Sequence, residues 1–309
     1  MVKFDKKNLL GQLLLFLTTI VWGSAFIILK TTIENVPKYY VLGLRFFPSG
    51  LLLLLIFIKR FKNIKLSTIK NGVVLGLVLG VAYVLQTVGV ELTTASRNAF
   101  ITASYCVMTP FLAWLMLKQK PKAYNVLSAV ICIVGIGFVA LSAVDSGNEV
   151  LKNTLIGDAL TLACAVFYAL QIIFIDKYQH QKDDTIVLLC FELLTVGVLC
   201  FILSLIFELP MGIDKFALNI DELLKILYLT IACTLFAQMA MIYGQKYTTP
   251  NQVSLILSLE AVFGTLFSVI IGDEKLTVML VIGFAIVFIA MIINELKLDP
   301  FKNLISDKK

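Results

Sequence analysis

The chain is 309 residues long, and its composition lies far outside that of soluble proteins. Apolar residues make up 59% of it and charged residues 15%, the net charge is +6, and the mean hydropathy is +0.94. Soluble domains contain about 45–50% apolar and about 25% charged residues. The composition therefore excludes a disordered chain, a collagen-like repeat and a nucleic-acid-binding domain.

Ten apolar runs, separated by charged or Pro-, Gly- and Asn-rich breaks, have the length of bilayer-spanning helices. A helix needs about 20 mostly apolar residues to cross the hydrocarbon core, and ten such helices leave about 100 residues for loops and tails. We therefore predict an all-α polytopic membrane protein with ten transmembrane helices. The predicted spans are 9–29, 39–58, 72–91, 97–117, 123–143, 155–175, 185–207, 222–243, 251–271 and 277–295.

The Lys and Arg residues are distributed unevenly between the two sides of the membrane. With the N-terminus inside, the inner segments carry eighteen of them and the outer segments seven, and Arg45 lies within the second span. Cytoplasmic loops of membrane proteins are enriched in Lys and Arg. We therefore predict an integral protein of the cell membrane with both termini in the cytoplasm.

The sequence has no pattern typical of a cofactor or metal site. Its six cysteines lie in apolar runs without paired spacing, which is typical of packing residues. Its one histidine, His180, lies in a polar loop, and no P-loop motif for nucleotide binding occurs. We predict no cofactor, no metal and no nucleic-acid partner, and we expect a gradient rather than ATP to supply any driving force.

The first half of the chain is repeated in the second half. The aligned stretches are Gly11–Lys30 with Gly157–Asp176 and Gly89–Thr94 with Gly244–Thr249. This alignment places Trp22 on Tyr168 and predicts two units, residues 1–150 and 151–309, with five spans each. Because an odd number of crossings inverts the second unit relative to the first, the pattern is typical of transporters. A duplication without a mechanical role is the alternative.

Several short motifs occur in the order found in a known transporter family. They are Trp22-Gly23-Ser24, Leu44-Arg45-Phe46, Thr93–Ile101, Tyr247–Asn251, Ser258–Phe263 and Ile271–Glu274. In these motifs, in helix number and in duplication, nearly the whole chain resembles the ten-helix, EamA-like branch of the drug/metabolite transporter superfamily. The resemblance implies a secondary transporter of amino acids or related metabolites, commonly an exporter.

Three ionisable residues lie at membrane depth, away from the ends of the predicted spans, where a charge costs at least about 2.5–3.5 kcal/mol. They are Arg45 in the second span, Glu192 in the seventh and Glu260 in the ninth. Arg45 and Glu192 occupy equivalent places in the two repeats, so we favour a structural ion pair between them, with a coupling role as the alternative. Glu260 is predicted either to bind a cationic substrate group or a proton, or to be structural.

Polar and aromatic residues form stripes at helical spacing on several spans. Such faces point away from lipid, and buried amides need partners that lipid does not supply. We predict a central cavity with aromatic walls suited to apolar or cationic groups, although the small Ser and Thr residues are equally suited to helix packing. The predicted substrate-binding residues are Trp22, Tyr83, Gln86, Asn98, Thr102, Tyr105, Tyr168, Gln171, Gln238, Ser258 and Glu260.

The leading interpretation is a secondary active transporter that exports a small-molecule substrate by alternating access, with protons as a candidate coupled ion and no enzymatic activity. A broad-specificity drug-like efflux carrier is the main alternative, and a channel or an intramembrane enzyme is less favoured. The fifth and tenth spans are almost wholly apolar or small. We therefore expect them at the periphery, facing lipid or a second copy in a homodimer.

Overall fold

The computed structural model describes residues 6–296 except 119, 142–147, 182, 249 and 273–274. Throughout these ranges the regular structure is helical, and no strand occurs. The helices are α1 (Lys6–Ile33), α2 (Lys38–Ile56), α3 (Leu66–Leu92), α4 (Ala95–Ala103 and Tyr105–Leu117), α5 (Ala123–Leu141), α6 (Asn148–His180), α7 (Thr185–Leu203), α8 (Ile220–Tyr228 and Ala237–Gln245), α9 (Pro250–Ser258 and Glu260–Ile271) and α10 (Val278–Leu296). A π-helical segment, Leu229–Phe236, joins the two parts of α8, and another, Ser204–Glu208, follows α7.

These helices confirm the predicted ten-helix membrane fold. Eight of the described helical segments are long and apolar enough to cross a bilayer, and two shorter apolar stretches, Ala123–Val139 and Val278–Ile293, lie in α5 and α10. Several helices extend beyond their predicted apolar runs, most clearly α6, which begins at Asn148 and ends at His180. These polar ends continue the helix into the headgroup region, so the backbone hydrogen bonds remain satisfied there. Hydropathy does not predict these ends, because their residues are not apolar.

Side-chain caps define where several helices begin. The Asp184 carboxylate accepts the amide N–H groups of the first turn of α7. At the start of α8, Asn219 and Glu222 form a capping box, in which each side chain accepts the other residue's backbone N–H. These caps satisfy amide donors that have no partner within the helix. The caps therefore explain why α7 begins at Thr185 and α8 begins at Ile220.

The two halves pack around a pseudo-twofold axis. Three contacts pair a helix with its own repeat: α2 with α7, α4 with α9, and α5 with α10. Other large contacts between the halves occur as twins, so that α3 packs on α6 as α8 packs on α1, and α4 packs on α6 as α9 packs on α1. With five spans in each half, the second half is inverted relative to the first.

Glycine contacts show the same symmetry at residue level. A Cβ atom at Gly11 would lie 2.9 Å from the Gly244 carbonyl oxygen, and one at Gly157 would lie 2.8 Å from the Gly89 carbonyl oxygen. The sequence alignment places Gly11 on Gly157 and Gly89 on Gly244, so these are equivalent contacts at opposite ends of the bundle. The α1–α8 and α3–α6 contacts therefore hold both ends together in this conformation.

The division between residues 150 and 151 remains a prediction. It falls within α6, which begins at Asn148, and the preceding segment 142–147 lies outside the described residues. The C-terminal tail from residue 297 onward, predicted to be a cytoplasmic end, also lies outside them.

The fifth and tenth helices form a pair at the side of the bundle. A Cβ atom at Gly135 of α5 would lie 2.9 Å from the Val287 amide nitrogen of α10, whereas the space around Gly137 is open. Large apolar side chains such as Ile133 and Val278 are exposed on this pair. The close glycine contact is thus made within one chain, and the homodimer through these helices stays a prediction.

Candidate functional site

A cavity lies at the centre of the bundle, where seven helices meet. Its volume, including the mouth, is about 500 Å3. Seven of the predicted substrate-binding residues line it, and Arg45 does as well. The lining consists of Trp22, Ala25, Phe26 and Leu29 of α1, Arg45 of α2, Tyr83 and Gln86 of α3, Tyr105 of α4, Tyr168, Gln171 and Ile172 of α6, Met241 of α8, and Leu257 and Glu260 of α9.

Most lining residues form pairs that are related by the internal repeat. The five pairs are Trp22 with Tyr168, Ala25 with Gln171, Phe26 with Ile172, Gln86 with Met241, and Tyr105 with Glu260. Because both members of each pair reach the same cavity, the cavity lies on the pseudo-twofold axis. In two pairs an amide corresponds to an apolar residue, and in a third the Glu260 carboxylate corresponds to Tyr105, so the cavity is symmetric in shape and asymmetric in polarity.

The π-helical segment of α8 anchors two lining residues. The Trp22 indole N–H donates to the Cys233 carbonyl oxygen at 2.8 Å. The Arg45 Nε donates to the Thr234 hydroxyl at 2.5 Å, and its guanidinium also donates to the Cys233 carbonyl at 3.4 Å. π-Helical turns shift the hydrogen-bonding pattern of a helix and occur often at functional sites. Here the turn presents a carbonyl and a hydroxyl to α1 and α2.

Three tyrosines form an aromatic wall. The Tyr83 and Tyr168 ring centroids are 5.6 Å apart at an interplanar angle of 83°, and the Tyr105 and Tyr168 centroids are 6.2 Å apart. The Arg45 guanidinium carbon lies 4.9 Å from the Tyr83 ring centroid. This wall can hold an apolar group against ring faces or a cationic group by cation–π attraction.

Gln86 positions this wall through hydrogen bonds to two other helices. Its Oε1 accepts the Tyr168 hydroxyl at 2.9 Å, and its Nε2 donates to the Thr102 hydroxyl at 3.3 Å. Behind it, the Asn98 amide donates to the Gln86 backbone carbonyl and to Thr161. Thr102 and Asn98 were predicted to bind substrate but do not line the cavity. Their observed contacts support Gln86 and Tyr168.

Helices α4 and α9 are both interrupted beside the cavity. Ser104 and Leu259 break them with nearly identical backbone angles, φ −60° and ψ −12° against φ −62° and ψ −14°. The next residues, Tyr105 and Glu260, line the cavity. Pro110 lies inside the second half of α4, and α9 has Thr265 at the equivalent position. The break therefore does not depend on proline.

Arg45 and Glu192 do not form the predicted ion pair. Arg45 donates to α8 and to the Tyr83 hydroxyl, while the Glu192 carboxylate accepts the Gln171 amide at 2.6 Å. Among the described residues no ion pair within 4.0 Å joins the two. The prediction was wrong because the π-helical turn of α8 offers Arg45 neutral acceptors that the sequence does not mark.

Two further predicted residues lie outside the cavity lining. Gln238 is buried on α8, and neither its amide nitrogen nor its oxygen has a hydrogen-bond partner among the described residues. Ser258 is buried at the end of the first half of α9, one residue before the break. Both lie on helices that contribute to the cavity, and their role in substrate binding stays a prediction.

Six lining residues, all of them apolar, are not among the predicted substrate-binding residues, although Phe26 shares a helical face with Trp22 in the sequence. They are Ala25, Phe26, Leu29, Ile172, Met241 and Leu257. Residue type alone does not distinguish an apolar cavity residue from the other apolar residues of the same span. The repeat alignment was the available signal, because it places Ala25 on Gln171 and Met241 on Gln86, both of which were predicted from their amides.

Comparisons with known proteins agree with this architecture. The model of the EamA-like transporter family matches the chain twice, over residues 9–141 and 155–295. An uncharacterized transporter of Archaeoglobus fulgidus is 32% identical over 94% of this chain and 87% of its own length. The uncharacterized transporter YoaV of Bacillus subtilis is 21% identical over 89% and 93%. A solved crystal structure superposes with a TM-score of 0.67 over 95% of this chain and 98% of the other, at 17% identity, which shows a shared fold.

The fold and these matches define an integral membrane protein of the transporter class. Two family matches together cover most of the chain, and each corresponds to five helices. The chain belongs to the EamA-like transporter family.

Proposed function

We propose that this protein is a secondary active transporter that moves a small metabolite, such as an amino acid, by alternating access about the central cavity. The observation that carries the proposal is the set of five repeat-related residue pairs lining one cavity. In transporters built from inverted repeats, substrate sites lie at the repeat interface and are formed by interrupted helices. The breaks before Tyr105 and Glu260 fit that arrangement.

The charges of the cavity support a zwitterionic substrate. Arg45 and Glu260 both line it, and among the described residues neither takes part in an ion pair. A carboxylate of the substrate would pair with Arg45 and an ammonium group with Glu260. The substrate's side chain would lie against the rings of Trp22 and Tyr168, which have the apolar and aromatic character of small-molecule pockets.

Direction, membrane and energy source belong to the same proposal. We place the protein in the cell membrane, and the distribution of Lys and Arg supports an orientation with both termini in the cytoplasm. The family resemblance supports export. A gradient of the substrate, alone or together with protons, would drive transport.

Reconstituted transport tests the proposal. Purified protein in liposomes preloaded with unlabelled phenylalanine should take up labelled phenylalanine saturably. Phenylalanine should compete better than phenethylamine, which lacks the carboxylate, or phenylpropionate, which lacks the amine. Each missing charged hydrogen bond should weaken competition by on the order of 10- to 100-fold, because such bonds contribute about 1.5–3 kcal/mol.

Two variants test the roles of the two charged residues individually. Arg45→Gln should abolish the discrimination against phenethylamine, and Glu260→Gln should abolish the discrimination against phenylpropionate. Glu34→Gln, at an exposed position, is the matched control and should leave all three affinities unchanged. Equal competition by the three compounds would instead favour the drug-like efflux carrier, for which the aromatic wall is the supporting observation. Flux that does not saturate would contradict a carrier altogether.

A further inference from the structure

Glu192 has a buried carboxylate group that does not line the cavity. Its side chain is 0% exposed, and it lies on α7, outside the cavity lining. One oxygen accepts the Gln171 amide at 2.6 Å, and the other has no hydrogen-bond partner among the described residues. On the side of α3, a Cβ atom at Gly76 would lie 2.6 Å from the Glu192 backbone oxygen, so the two helices are in close contact here.

No cation pairs with this carboxylate in the part of the chain that the structure describes. Helix α7 packs on α2, α3 and α8, and α6 reaches Glu192 through Gln171. The titratable groups on their inner parts are Arg45 on α2, Tyr83 on α3, Cys164 and Tyr168 on α6, and Cys233 on α8. None of them forms an ion pair or a hydrogen bond with Glu192. The other charged residues of these helices lie near their ends: Lys38, Lys70, Glu91, Glu149, Lys152, Asp158, Asp176, Lys177, Asp221, Glu222 and Lys225.

These surroundings accommodate a neutral acid better than a carboxylate. An ionised group without a counter-cation loses its hydration on burial and gains no Coulombic attraction in return. A protonated carboxyl group leaves one O–H donor unsatisfied, which is a much smaller cost. Buried acidic residues in transmembrane helices are typical of proton pathways.

We propose that Glu192 is a proton-binding site separate from Glu260, and that Gln171 connects it to the cavity. Gln171 both lines the cavity and donates to Glu192. When Gln171 moves aside, the Glu192 carboxylate takes a proton from water in the cavity and forms an O–H bond. When the cavity opens to the other side, that bond breaks and the proton returns to water there. One proton thus crosses in each cycle. This role in coupling rests on the proposed transport function, whereas protonation itself does not.

Infrared difference spectroscopy of purified protein tests the protonation directly. At neutral pH the wild type should show a carbonyl-stretch band of a protonated carboxyl group that is absent in Glu192→Gln. In Gln171→Leu the band should remain but shift, because its hydrogen bond is lost. This second variant keeps Glu192 and decides the matter if Glu192→Gln fails to fold. Loss of an ionised-carboxylate band in Glu192→Gln, or an unshifted band in Gln171→Leu, would overturn the proposal.

Transport in liposomes then tests the coupling. Glu192→Gln should retain exchange of substrate for substrate, but an imposed pH gradient should no longer stimulate net flux. Stimulation equal to that of the wild type would overturn the coupling role. Absence of any saturable flux in the wild type would instead contradict the proposed function and leave the infrared result as the test of the proton site.

Discussion

At the residue scale, single side chains tie the two halves of the protein together around the cavity. Trp22 of the first half donates to Cys233 of the second, and Tyr168 of the second half donates to Gln86 of the first. Both rings also line the cavity. Trp22 and Tyr168 therefore both line the cavity and connect the two repeats.

Trp22 provides an intrinsic probe of ligand binding. The chain has two tryptophans: Trp22 is 8% exposed and lines the cavity, whereas Trp114 is 47% exposed on α4. We expect a transported ligand to change the fluorescence of Trp114→Phe, in which Trp22 is the emitter, because the ligand alters the polarity around that indole.

The matched variant is Trp22→Phe, which retains the exposed tryptophan. Its fluorescence should not respond to the same ligand over the concentration range that saturates transport. A ligand response in Trp22→Phe but not in Trp114→Phe would place the binding site away from the central cavity.

Residue type and spacing predicted eleven binding residues, and seven of them line the cavity. Polar and aromatic groups could be recognised because they stand out within apolar spans. Asn98 and Thr102 were found as polar residues, but their contacts with Thr161 and Gln86 depend on how α3, α4 and α6 pack. Whether a polar group lines a cavity or supports its wall depends on neighbours from other helices, which the sequence does not place.

At the element scale, close glycine contacts determine which helix faces meet. Gly135 of α5 and Gly283 of α10 lie against each other's backbones: a Cβ atom at either would lie 3.1 Å from the other residue's carbonyl oxygen. Without a hydrophobic driving force between helices in lipid, such close van der Waals packing is a main source of helix association.

Gly135 and Gly137 form a matched pair for testing this contact. In Gly135→Ala the new methyl group would lie 2.7 Å from the Val287 side chain, whereas in Gly137→Ala it would enter open space. We expect Gly135→Ala to destabilise the folded protein by about 1–3 kcal/mol through overpacking. Gly137→Ala should be neutral or stabilising by up to about 1 kcal/mol, because alanine favours the helix.

Unfolding of the two variants in the same detergent is the measurement. Equal stabilities would show that α5 and α10 do not pack tightly through Gly135. A loss of stability in Gly137→Ala alone would indicate that its open face is covered by another molecule, as the predicted homodimer would require.

The apolar runs of the sequence predicted where the ten helices lie, because a bilayer-spanning helix has a required length and polarity. The interruptions at Ser104 and Leu259 were not predicted, since neither position has the glycine or proline that marks a break. The π-helical segment of α8 was missed for the same reason. Its hydrogen-bond partners include Trp22 and Arg45, which are more than 180 residues away in sequence.

At the scale of the whole molecule, the pseudo-twofold axis relates two ends that differ in charge. At one end, Arg97 of α4 forms a buried ion pair with Asp158 of α6, and Asp158 also accepts the Thr93 hydroxyl. The equivalent positions at the other end are Gln252 and Gln12. In the described part of that end, Asn8 donates to the Tyr247 carbonyl, and Gln12 donates to Asn8. At these equivalent positions, one end thus has a buried ion pair where the other has neutral amides.

We predict that removing the buried charge pair favours the conformation in which that end is open. In Asp158→Asn, Arg97 loses its ion pair with Asp158, and breaking a buried ion pair costs about 3–5 kcal/mol in the closed conformation. In a cysteine-free background with Ala25→Cys in the cavity, labelling by a membrane-impermeant thiol reagent added outside the cell should rise by at least about 100-fold.

The exposed pair between Lys38 and Glu91, at the same end of the molecule, provides the control. Because an exposed ion pair contributes only about 0–1 kcal/mol, Glu91→Gln should leave labelling close to its starting level. If labelling of Asp158→Asn rises only when the reagent is added on the cytoplasmic side of the membrane, this end of the protein faces the cytoplasm. That result would contradict the predicted topology.

The amino-acid sequence by itself determined the all-α membrane fold, the number of helices and the repeat. These follow from hydropathy, span length and self-similarity, which are local or additive properties of the chain. It also marked Arg45, Glu192 and Glu260 as exceptional, because charge within a span is costly wherever the span packs. Only the tertiary structure decided that Arg45 and Glu260 share a cavity while Glu192 lies outside it. The reason is physical: the partners of a buried charge are supplied by helices distant in sequence, and their packing depends on contacts that no local pattern encodes.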